Sequence, residues 1–320
     1  MNRFNVVMTA PRLAEPAVAL LEQAGCAIHY TQPYPSSAVL VELAARVQAD
    51  AILARQGQVD AAVIAASPRL RIVARHGVGM DEVDLAAAAA RGVLVTRAPG
   101  SNTTAVAEHT MALILALVKN LRAFSVAVGG GGWRGGATQC GDVAGLRLGL
   151  IGYGVIGRAV ARLAGAFAMR VIVFDPALGD GEAVERARSL AALAGSSDVL
   201  SVHCPLTQAT SGLVDAGVLA AMPAGGYVVN TARGGIVDEA ALLAALDAGS
   251  LAGAALDVFA VEPPPADHPL RSHPRVLVTP HVAGVTPGSL VAMGVMAAEC
   301  IVAALTGGTV PADRIVVARP

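Results

Sequence analysis

One glycine-rich segment limits the possible folds more than any other feature of the chain. The sequence Gly152-Tyr-Gly-Val-Ile-Gly157 follows an apolar stretch at 148–151 and precedes a helical pattern at 158–167. A second apolar stretch at 171–174 ends in Asp175, 18 residues after Gly157. A strand, glycine loop, helix, strand and terminal carboxylate at this spacing are typical of a dinucleotide-binding βαβ unit. The segment therefore predicts an α/β domain with a parallel sheet.

Each residue of the glycine loop has its own predicted role. Gly152 permits the tight turn, Gly154 lets a pyrophosphate approach the backbone, and Gly157 lets the helix pack closely on the strand. The amides of Val155 and Ile156 lie at the positive end of the helix, which attracts anions. A glycine-rich turn without a ligand is the alternative.

Asp175 predicts which dinucleotide binds. A carboxylate at this position accepts hydrogen bonds from both ribose hydroxyls and repels a 2′-phosphate. The residues that follow it are Pro176 and Ala177, and neither offers the positive charge that a 2′-phosphate requires. The sequence therefore favours NAD over NADP.

Composition narrows the domain count and the partners. At 320 residues the chain is long enough for about two domains, and its 54% hydrophobic content supplies buried cores. The formal net charge of −1 offers no basic surplus for nucleic acid. The one lysine, Lys119, is not in a Gly-Lys-Ser/Thr sequence, so a P-loop is excluded.

The mean hydropathy of +0.59 raises the question of a membrane. The longest uncharged stretches, about 216–232 and 282–298, contain Gly, Pro, Thr or Asn and fall short of the ~18 apolar residues of a span. No membrane contact is predicted, and the first residues lack the apolar core of a signal peptide. The cysteines are too scattered for a zinc knuckle and too few for a disulfide framework, which predicts a cytoplasmic protein; they are Cys26, Cys140, Cys204 and Cys300.

Short apolar strands alternate with Ala-rich helices along the chain, a pattern typical of parallel sheets covered on both faces. The first part has candidate strands at 4–9, 51–55, 72–75 and 94–96 and candidate helices at 16–24 and 37–48. A long helix at 105–120 and a glycine linker at 129–132 follow. The second part has candidate strands at 147–151, 171–175, 199–204, 226–231, 254–258 and 276–280, and an apolar helix at 287–305 that should be buried.

Four polar segments follow the last strands, at 202–206, 230–235, 256–263 and 279–284. Ligands of an open α/β sheet bind beyond the carboxyl ends of its strands, so these segments should border one crevice. The adjacent His203 and Cys204 point to opposite faces of a strand and cannot ligate one ion, so no metal is predicted.

These segments resemble the D-isomer-specific 2-hydroxyacid dehydrogenases, above all phosphoglycerate dehydrogenases and hydroxypyruvate or glyoxylate reductases. The matching pieces lie at 75–85, 99–117, 149–158, 202–207, 228–242, 253–263 and 279–284 and span nearly the whole chain. The resemblance implies two Rossmann-like, doubly wound parallel-sheet domains with the active site in the cleft between them. The substrate domain, flavodoxin-like, would comprise 1–98 plus 286–320, and the NAD-binding Rossmann domain 99–285. It also implies a homodimer.

By motif, the family's catalytic Arg, Glu and His correspond to Arg233, Glu262 and His281. Histidine titrates near neutrality and can exchange the hydroxyl proton, a carboxylate can fix its tautomer, and arginine can hold a carboxylate with two hydrogen bonds. Alternatives remain for each: a surface arginine, a solvated glutamate, and His268 or His273 in place of His281.

The resemblance assigns further contacts. The cofactor would also contact His203, Cys204, Pro205, Thr231, Asp257 and Gly284. The substrate carboxylate would bind near Val78 and Gly79, where a Gly-x-Gly turn offers amides to an anion. Arg75 and Asn102 are further candidates, and Arg75 would suit a second anionic group such as a phosphate, or would be paired structurally.

The expected activity is hydride transfer between NAD and C2 of a small anionic D-2-hydroxy or 2-oxo acid, either phosphorylated like 3-phosphoglycerate or of the hydroxypyruvate or glyoxylate type. The alternatives are a phosphonate (phosphite) dehydrogenase with the same three residues, and an NAD-sensing interaction protein similar to corepressors. Formate dehydrogenases of this fold pair their histidine with glutamine, so Glu262 argues against them. Because the sequence ends soon after the predicted terminal helix, we expect a protein without the C-terminal regulatory extension that many phosphoglycerate dehydrogenases carry.

Overall fold

The computed structural model describes residues 4–133, 139–179 and 181–318. The chain divides into two compact units. Unit 1 contains the residues up to 102 together with those from 285 onward, and unit 2 contains residues 103–284. The tail thus returns to the first unit. The boundaries lie at 102/103 and 284/285, compared with 98/99 and 285/286 expected from the sequence.

Within the described ranges the strands are numbered in chain order. They are β1 (Phe4–Met8), β2 (Cys26–Tyr30), β3 (Ala51–Ala54), β4 (Ile72–Arg75), β5 (Leu94–Thr96), β6 (Arg147–Ile151), β7 (Arg170–Phe174), β8 (Glu185–Arg186), β9 (Val199–Val202), β10 (Gly226–Asn230), β11 (Leu251–Leu256), β12 (Val276–Val278) and β13 (Ile315–Val317).

The α-helices of the same ranges are α1 (Glu15–Gln23), α2 (Ser37–Val47), α3 (Ala61–Ala65), α4 (Leu85–Ala90), α5 (Thr103–Val118), α6 (Leu121–Gly129), α7 (Val155–Ala166), α8 (Leu190–Gly195), α9 (Ala216–Ala221), α10 (Glu239–Asp247), α11 (Pro269–Ser272) and α12 (Pro287–Thr306). Short 3₁₀ turns lie at Gly234–Ile236 and Ala312–Arg314.

Each unit is built on one sheet. The described strands of unit 1 lie in the order β13-β5-β4-β3-β1-β2, all parallel except β13, which pairs antiparallel with β5. Those of unit 2 lie in the order β12-β11-β10-β9-β6-β7-β8, and all are parallel. The strand order reverses beside β1 in unit 1 and beside β6 in unit 2, so both sheets are doubly wound. The predicted α/β fold is confirmed, and the loops after these strands are where ligands of such sheets bind.

Helices cover both faces of each sheet. In unit 1, Leu21 of α1 and Ile301 of α12 pack on one face, while α2, α3 and α4 cover the other. In unit 2, Ile114 of α5 and Val160 of α7 belong to one core, and α8, α9 and α10 supply the other. Removal of this apolar surface from water is the main stabilising contribution.

Helix α12 is the single described helix that is long and apolar enough to cross a membrane by length and composition alone. In the structure 44% of its apolar window is buried, and Ala297, Ala298 and Ile301 belong to the core of unit 1. The sequence prediction of a buried apolar helix at 287–305 is confirmed. Helices α5 and α6, which are bent by 62° at the break between them, are also long and apolar enough when they are taken together.

Several elements differ from the prediction. The expected helix at 105–120 is α5, and a second helix, α6, follows it after Asn120, whose φ is 52°. Strands β2, β8 and β13 were not expected. Each of the three is an edge strand of its sheet. None of them carries a continuous buried apolar stretch.

Candidate active site

The loop between β6 and α7 is shaped by two close backbone approaches. Gly152 has a φ of 94°, and a Cβ there would lie 2.7 Å from the carbonyl oxygen of His203. A Cβ on Gly157 would overlap the carbonyl oxygen of Gly152. Only glycine therefore allows the first turn of α7 to rest on the end of β6.

The beginning of α7 has no side-chain cap, unlike that of most helices that the structure describes. Ser36, Asp60 and Asp84 each accept a hydrogen bond from the first turn of the helix that follows. The cap residue of α7 is Gly154, which has no side chain, and both Gly154 and Val155 are exposed. Unsatisfied amides at an exposed helix N-terminus form an anion site.

Asp175 follows β7 and is fixed against the glycine loop. One carboxylate oxygen accepts a hydrogen bond from the Tyr153 amide at 2.7 Å, and the other accepts one from the Ala177 amide at 2.9 Å. Since each carboxylate oxygen can accept two hydrogen bonds, both oxygens keep capacity for ribose hydroxyls.

The end of β9 adds neutral groups beside this loop. The His203 amide donates to the carbonyl of Ile151 at 2.7 Å, and its Nε2 lies 2.9 Å from Ser201 Oγ. Burial lowers the pKa of His203 to about 4 and raises the pKa of Cys204 to about 11. Both side chains are therefore uncharged at neutral pH and add no charge beside the glycine loop. Pro205, next along the chain, is exposed.

The loop after β10, which carries Arg233, is held by the Asn230 side chain. The Asn230 amide group donates to the carbonyl of Arg233 at 2.8 Å and accepts from the Ala232 amide at 3.0 Å. The buried Thr231 hydroxyl lies 2.9 Å from that of Thr110 on α5. A Cβ on Gly234 would overlap the carbonyl carbon of Phe259, so this glycine brings the loop directly onto the loop after β11.

Glu262 and His281 form a hydrogen-bonded pair. His281 Nδ1 lies 2.6 Å from Glu262 Oε2, and the other oxygen of Glu262 accepts from the Phe259 amide at 3.0 Å. The hydrogen bond to Glu262 raises the pKa of His281, partly opposed by burial and by the charge of Arg233. Burial is the largest influence on Glu262 and raises its pKa, but the hydrogen bond and charge of His281, the Phe259 amide and the charge of Arg233 together outweigh burial, so the pKa of Glu262 is lowered. Glu262 is thus a carboxylate at neutral pH, beside an imidazole that readily takes a proton.

The competing histidines have other partners. His268 Nε2 lies 3.1 Å from Glu239 Oε2, and His273 Nε2 lies 3.4 Å from Asp247 Oδ1. Among the three histidines weighed from the sequence, His281 is the one paired with Glu262. Asp257 is 1% exposed and accepts hydrogen bonds from the amides of the turn after His281, and that turn ends at the half-buried Gly284.

In unit 1, the predicted substrate loop follows β4. In the part of the chain that the structure describes, no acceptor is present for the amides of Val78 and Gly79. The buried amide oxygen of Asn102 also lacks a partner there. These groups therefore have unused hydrogen-bonding capacity.

Arg75 is engaged within unit 1. Its guanidinium donates to the carbonyls of Gly79 at 2.9 Å and Arg55 at 3.0 Å and forms an ion pair with Glu82 at 2.7 Å. A substrate phosphate would have to displace these contacts. Arg75 is therefore paired structurally within unit 1, which was the alternative to phosphate binding.

Arg55 was not among the substrate-site candidates predicted from the sequence. It follows β3, its amide donates to Thr9 Oγ1 at 2.8 Å, and its side chain is half-buried. Within the described residues the guanidinium has neither a hydrogen-bond nor an ion-pair partner, and burial lowers its pKa. Burial together with the charge of Arg55 lowers the pKa of the neighbouring His76 to about 4. The signal in the sequence was an arginine at the carboxyl end of a predicted strand.

No group of three or more His, Cys, Asp or Glu side chains is placed to hold a metal ion in the ranges that the structure describes. The polar groups assembled in unit 2 are instead an uncapped helix end, a fixed carboxylate, an arginine and a Glu–His pair.

A family model described as D-isomer specific 2-hydroxyacid dehydrogenase, NAD binding domain, matches residues 111–283. The chain belongs to the D-isomer specific 2-hydroxyacid dehydrogenase family. D-3-phosphoglycerate dehydrogenase of Mycobacterium bovis is 42% identical over 273 residues, which cover 84% of this chain and 52% of that protein. The chain spans about half the length of the curated relatives it matches first.

Two solved structures match over nearly their whole length. The TT0316 protein of Thermus thermophilus has a TM-score of 0.90 and 35% identity, covering 98% of this chain and 100% of that one. The NADPH-dependent glyoxylate/hydroxypyruvate reductase of Sinorhizobium meliloti, solved with NADP and malonate, has a TM-score of 0.86 and 31% identity, covering 98% and 97%.

The residues that match the NAD-binding domain model, 111–283, lie within unit 2, and NAD as cofactor agrees with the prediction from the sequence. The residues present fit this cofactor: the uncapped amides of α7 suit a pyrophosphate, and Asp175 retains acceptor capacity for ribose hydroxyls. The individual roles of these residues remain predictions, and so does the preference for NAD over NADP.

Proposed function

We propose that this chain is an NAD-dependent dehydrogenase that interconverts a small D-2-hydroxy acid and the corresponding 2-oxo acid. The observation that carries the proposal is the 2.6 Å hydrogen bond between His281 and Glu262, with the charge of Arg233 acting on both side chains. NAD, when bound, supplies the acceptor for the hydride that leaves C2 of the hydroxy acid.

His281 exchanges the hydroxyl proton. Nδ1 faces Glu262, so Nε2 is the ring nitrogen available to the substrate. In the oxidative direction neutral Nε2 takes the proton from the C2 hydroxyl, and in the reductive direction protonated Nε2 returns it to the carbonyl oxygen. Glu262 orients the ring and stabilises its charged form.

Arg233 binds the reacting end of the substrate. Its guanidinium presents paired N–H donors, which match a carboxylate and polarise a neighbouring 2-oxo group. The side chains of Asn230 and Thr231 and the close approach of Gly234 hold its loop in place. The positive charge therefore meets the developing oxyanion without reorganisation.

Residues of unit 1 define the substrate class in this proposal. The amides of Val78 and Gly79 bind one carboxylate, and the guanidinium of Arg55, which has no hydrogen-bond or ion-pair partner among the residues that the structure describes, binds a second anionic group. A phosphorylated acid such as 3-phosphoglycerate supplies both. The relatives' names include both a phosphoglycerate dehydrogenase and a glyoxylate/hydroxypyruvate reductase, so singly charged acids are the competing class.

A panel of 2-oxo acids tests this proposal. Oxidation of NADH is followed by absorbance with 3-phosphohydroxypyruvate, hydroxypyruvate, glyoxylate and pyruvate, for the wild type and Arg55→Gln. We expect the highest kcat/KM for the phosphorylated acid, and loss of that preference in Arg55→Gln but not in the control Arg46→Gln. If the wild type turns over none of these acids, the proposed activity is wrong. If Arg55→Gln keeps the wild-type preference, only the proposed role of Arg55 is wrong.

We also propose that the chain forms a homodimer through α6. None of the residues of this helix is buried, and Leu121, Val126 and Val128 are exposed, as is the nearby Trp133. A second copy that covers this surface removes an apolar patch from water. The four free cysteines favour the reducing cytoplasm, and the balanced charge argues against nucleic acid and membrane surfaces as partners.

A further inference from the structure

The turn that carries His281 has an unfavourable backbone conformation. His281 has a φ of 53°, in the left-handed region that a non-glycine residue occupies only when its surroundings enforce it. The direction of the imidazole depends on this turn. What enforces the turn therefore also decides where the proton-transfer group lies.

Asp257 enforces the turn. Its backbone carbonyl accepts a hydrogen bond from the His281 amide at 2.8 Å. Its two carboxylate oxygens accept hydrogen bonds from the amides of Val282 and Ala283, each at 2.9 Å. Because Asp257 is 1% exposed, its carboxylate is shielded from solvent, and its orientation depends on these protein donors.

Thr279 and His109 complete the surroundings of this carboxylate. Thr279 Oγ1 lies 2.5 Å from Asp257 Oδ1, and His109 Nε2 lies 3.1 Å from Thr279 Oγ1 and 3.7 Å from Asp257 Oδ1. His109 lies on α5, and it is separated from Thr279 by 170 positions in the sequence. The contact thus ties α5 to the strand end that leads into the His281 turn.

The proton positions in this chain of contacts follow from the chemistry. A carboxylate cannot donate a hydrogen bond, so the Thr279 hydroxyl, 2.5 Å from Asp257 Oδ1, must be the donor and uses its single hydrogen in this bond. Its oxygen is then the acceptor for His109, whose Nε2 must carry a hydrogen. The order of donation is therefore His109 to Thr279 to Asp257, and each bond orients the next group.

We propose that His109 and Thr279 are positioning residues for His281: they fix the Asp257 carboxylate, which holds the left-handed turn and directs the imidazole toward Glu262. The inference rests on the proposed role of His281 as the proton-transfer group. The neighbouring residue of α5, Thr110, bonds to Thr231 before the Arg233 loop, so consecutive residues of one helix support two of the functional loops.

The test compares His109→Leu, which lacks the donor, with His109→Gln, whose amide nitrogen replaces Nε2–H. Two readouts are taken: the pKa of His281 by NMR titration of the histidine-labelled protein, with the resonance assigned from His281→Gln, and kcat against KM for the best 2-oxo acid. We expect the pKa of His281 to fall in His109→Leu and kcat to drop about 10- to 100-fold with KM unchanged. His109→Gln should restore both.

Thr279→Val and Thr279→Ser provide a second pair of variants if His109→Leu unfolds. Valine keeps the shape without the hydroxyl, so it should behave like His109→Leu, whereas serine should behave like the wild type. An unchanged pKa of His281 in both His109→Leu and Thr279→Val overturns the inference. The NMR readout needs no turnover, so it separates this outcome from a wild type that reduces no 2-oxo acid, which contradicts the proposed function instead.

Discussion

Among the single residues, the proposed proton transfer depends on the hydrogen-bonded pair Glu262 and His281 with the charge of Arg233 beside it. Glu262 raises the pKa of His281, whereas Arg233 opposes that shift. A histidine whose pKa is raised in this way holds its proton to a higher pH than a free imidazole does and still releases it to a neighbouring base. In the proposed mechanism this raised pKa suits a group that gives up the proton in one direction and takes it back in the other.

Replacement of Glu262 by glutamine tests this coupling. Reduction of a 2-oxo acid needs protonated His281, so its rate falls as pH rises through the pKa of His281. Glu262→Gln keeps the shape but removes the charge that raises this pKa, so the pH of the decline should move downward. The pH profile of kcat/KM in the reductive direction measures the shift. A decline at the wild-type pH would mean that Glu262 does not set the pKa of His281.

Asp175 carries the prediction of cofactor choice. Asp175→Asn removes the negative charge that repels a 2′-phosphate while keeping an acceptor oxygen near the Tyr153 amide. We expect the ratio of kcat/KM for NAD to that for NADP to fall. Measurement of both cofactors with one substrate gives the ratio, and the same ratio in variant and wild type would show that another group selects the cofactor.

At the scale of elements, the functional loops depend on close approaches that leave no room for a side chain. Gly234 brings the Arg233 loop against the Phe259 carbonyl, and Gly152 meets the carbonyl of His203. Because the strands of unit 2 are parallel, their carboxyl ends lie along one edge of the sheet, and these loops follow that edge.

Gly234→Ala should disturb both stability and catalysis. The added methyl overlaps the Phe259 carbonyl, so we expect a loss of about 1–3 kcal/mol in the free energy of unfolding and a lower kcat. Gly235→Ala is the matched control, because its Cβ would lie 3.6 Å from the Leu206 methyl groups, an ordinary contact. Urea unfolding and steady-state kinetics measure both effects. Equal stability of the two variants would contradict the close approach.

The sequence predicted the elements whose signals are local. The apolar strand before Gly152, the glycine turn and Asp175 lie within 30 residues of each other, and the structure contains the strand, loop and helix in that order. Strand β13 was missed because its partner β5 lies about 220 positions away and its three residues are only half-buried. Likewise, the sequence could not show that Arg75 contacts Gly79 and Glu82, while Arg55 has no such partner within the described part of the chain, since these contacts depend on the fold.

At the scale of the whole molecule, the chain is two doubly wound units, with the tail completing the first. The family membership agrees with this layout, since the model of the NAD-binding domain matches residues 111–283 inside unit 2. The exposed apolar surface of α6 belongs to this unit as well. The proposed dimer therefore involves the cofactor-binding unit.

Val126→Glu tests the proposed dimer. Val126 is 68% exposed on α6, so a charge there should prevent burial of the surface between two copies. We expect a dimer for the wild type and a monomer for Val126→Glu by light scattering. Val39→Glu, an exposed valine on α2, is the control and should remain dimeric. A monomeric wild type, or a dimeric Val126→Glu variant, would rule out α6 as the interface.

In the proposed reaction His281 moves the substrate proton, and His281→Ala removes the group that does so. His273→Ala, which alters a histidine paired with Asp247, is the control. Both variants are assayed for kcat with the best 2-oxo acid and for NADH binding by fluorescence. We expect His281→Ala to lower kcat by about 10²–10⁴-fold with unchanged NADH binding, and His273→Ala to retain activity. Wild-type turnover in His281→Ala would show that another group moves the proton.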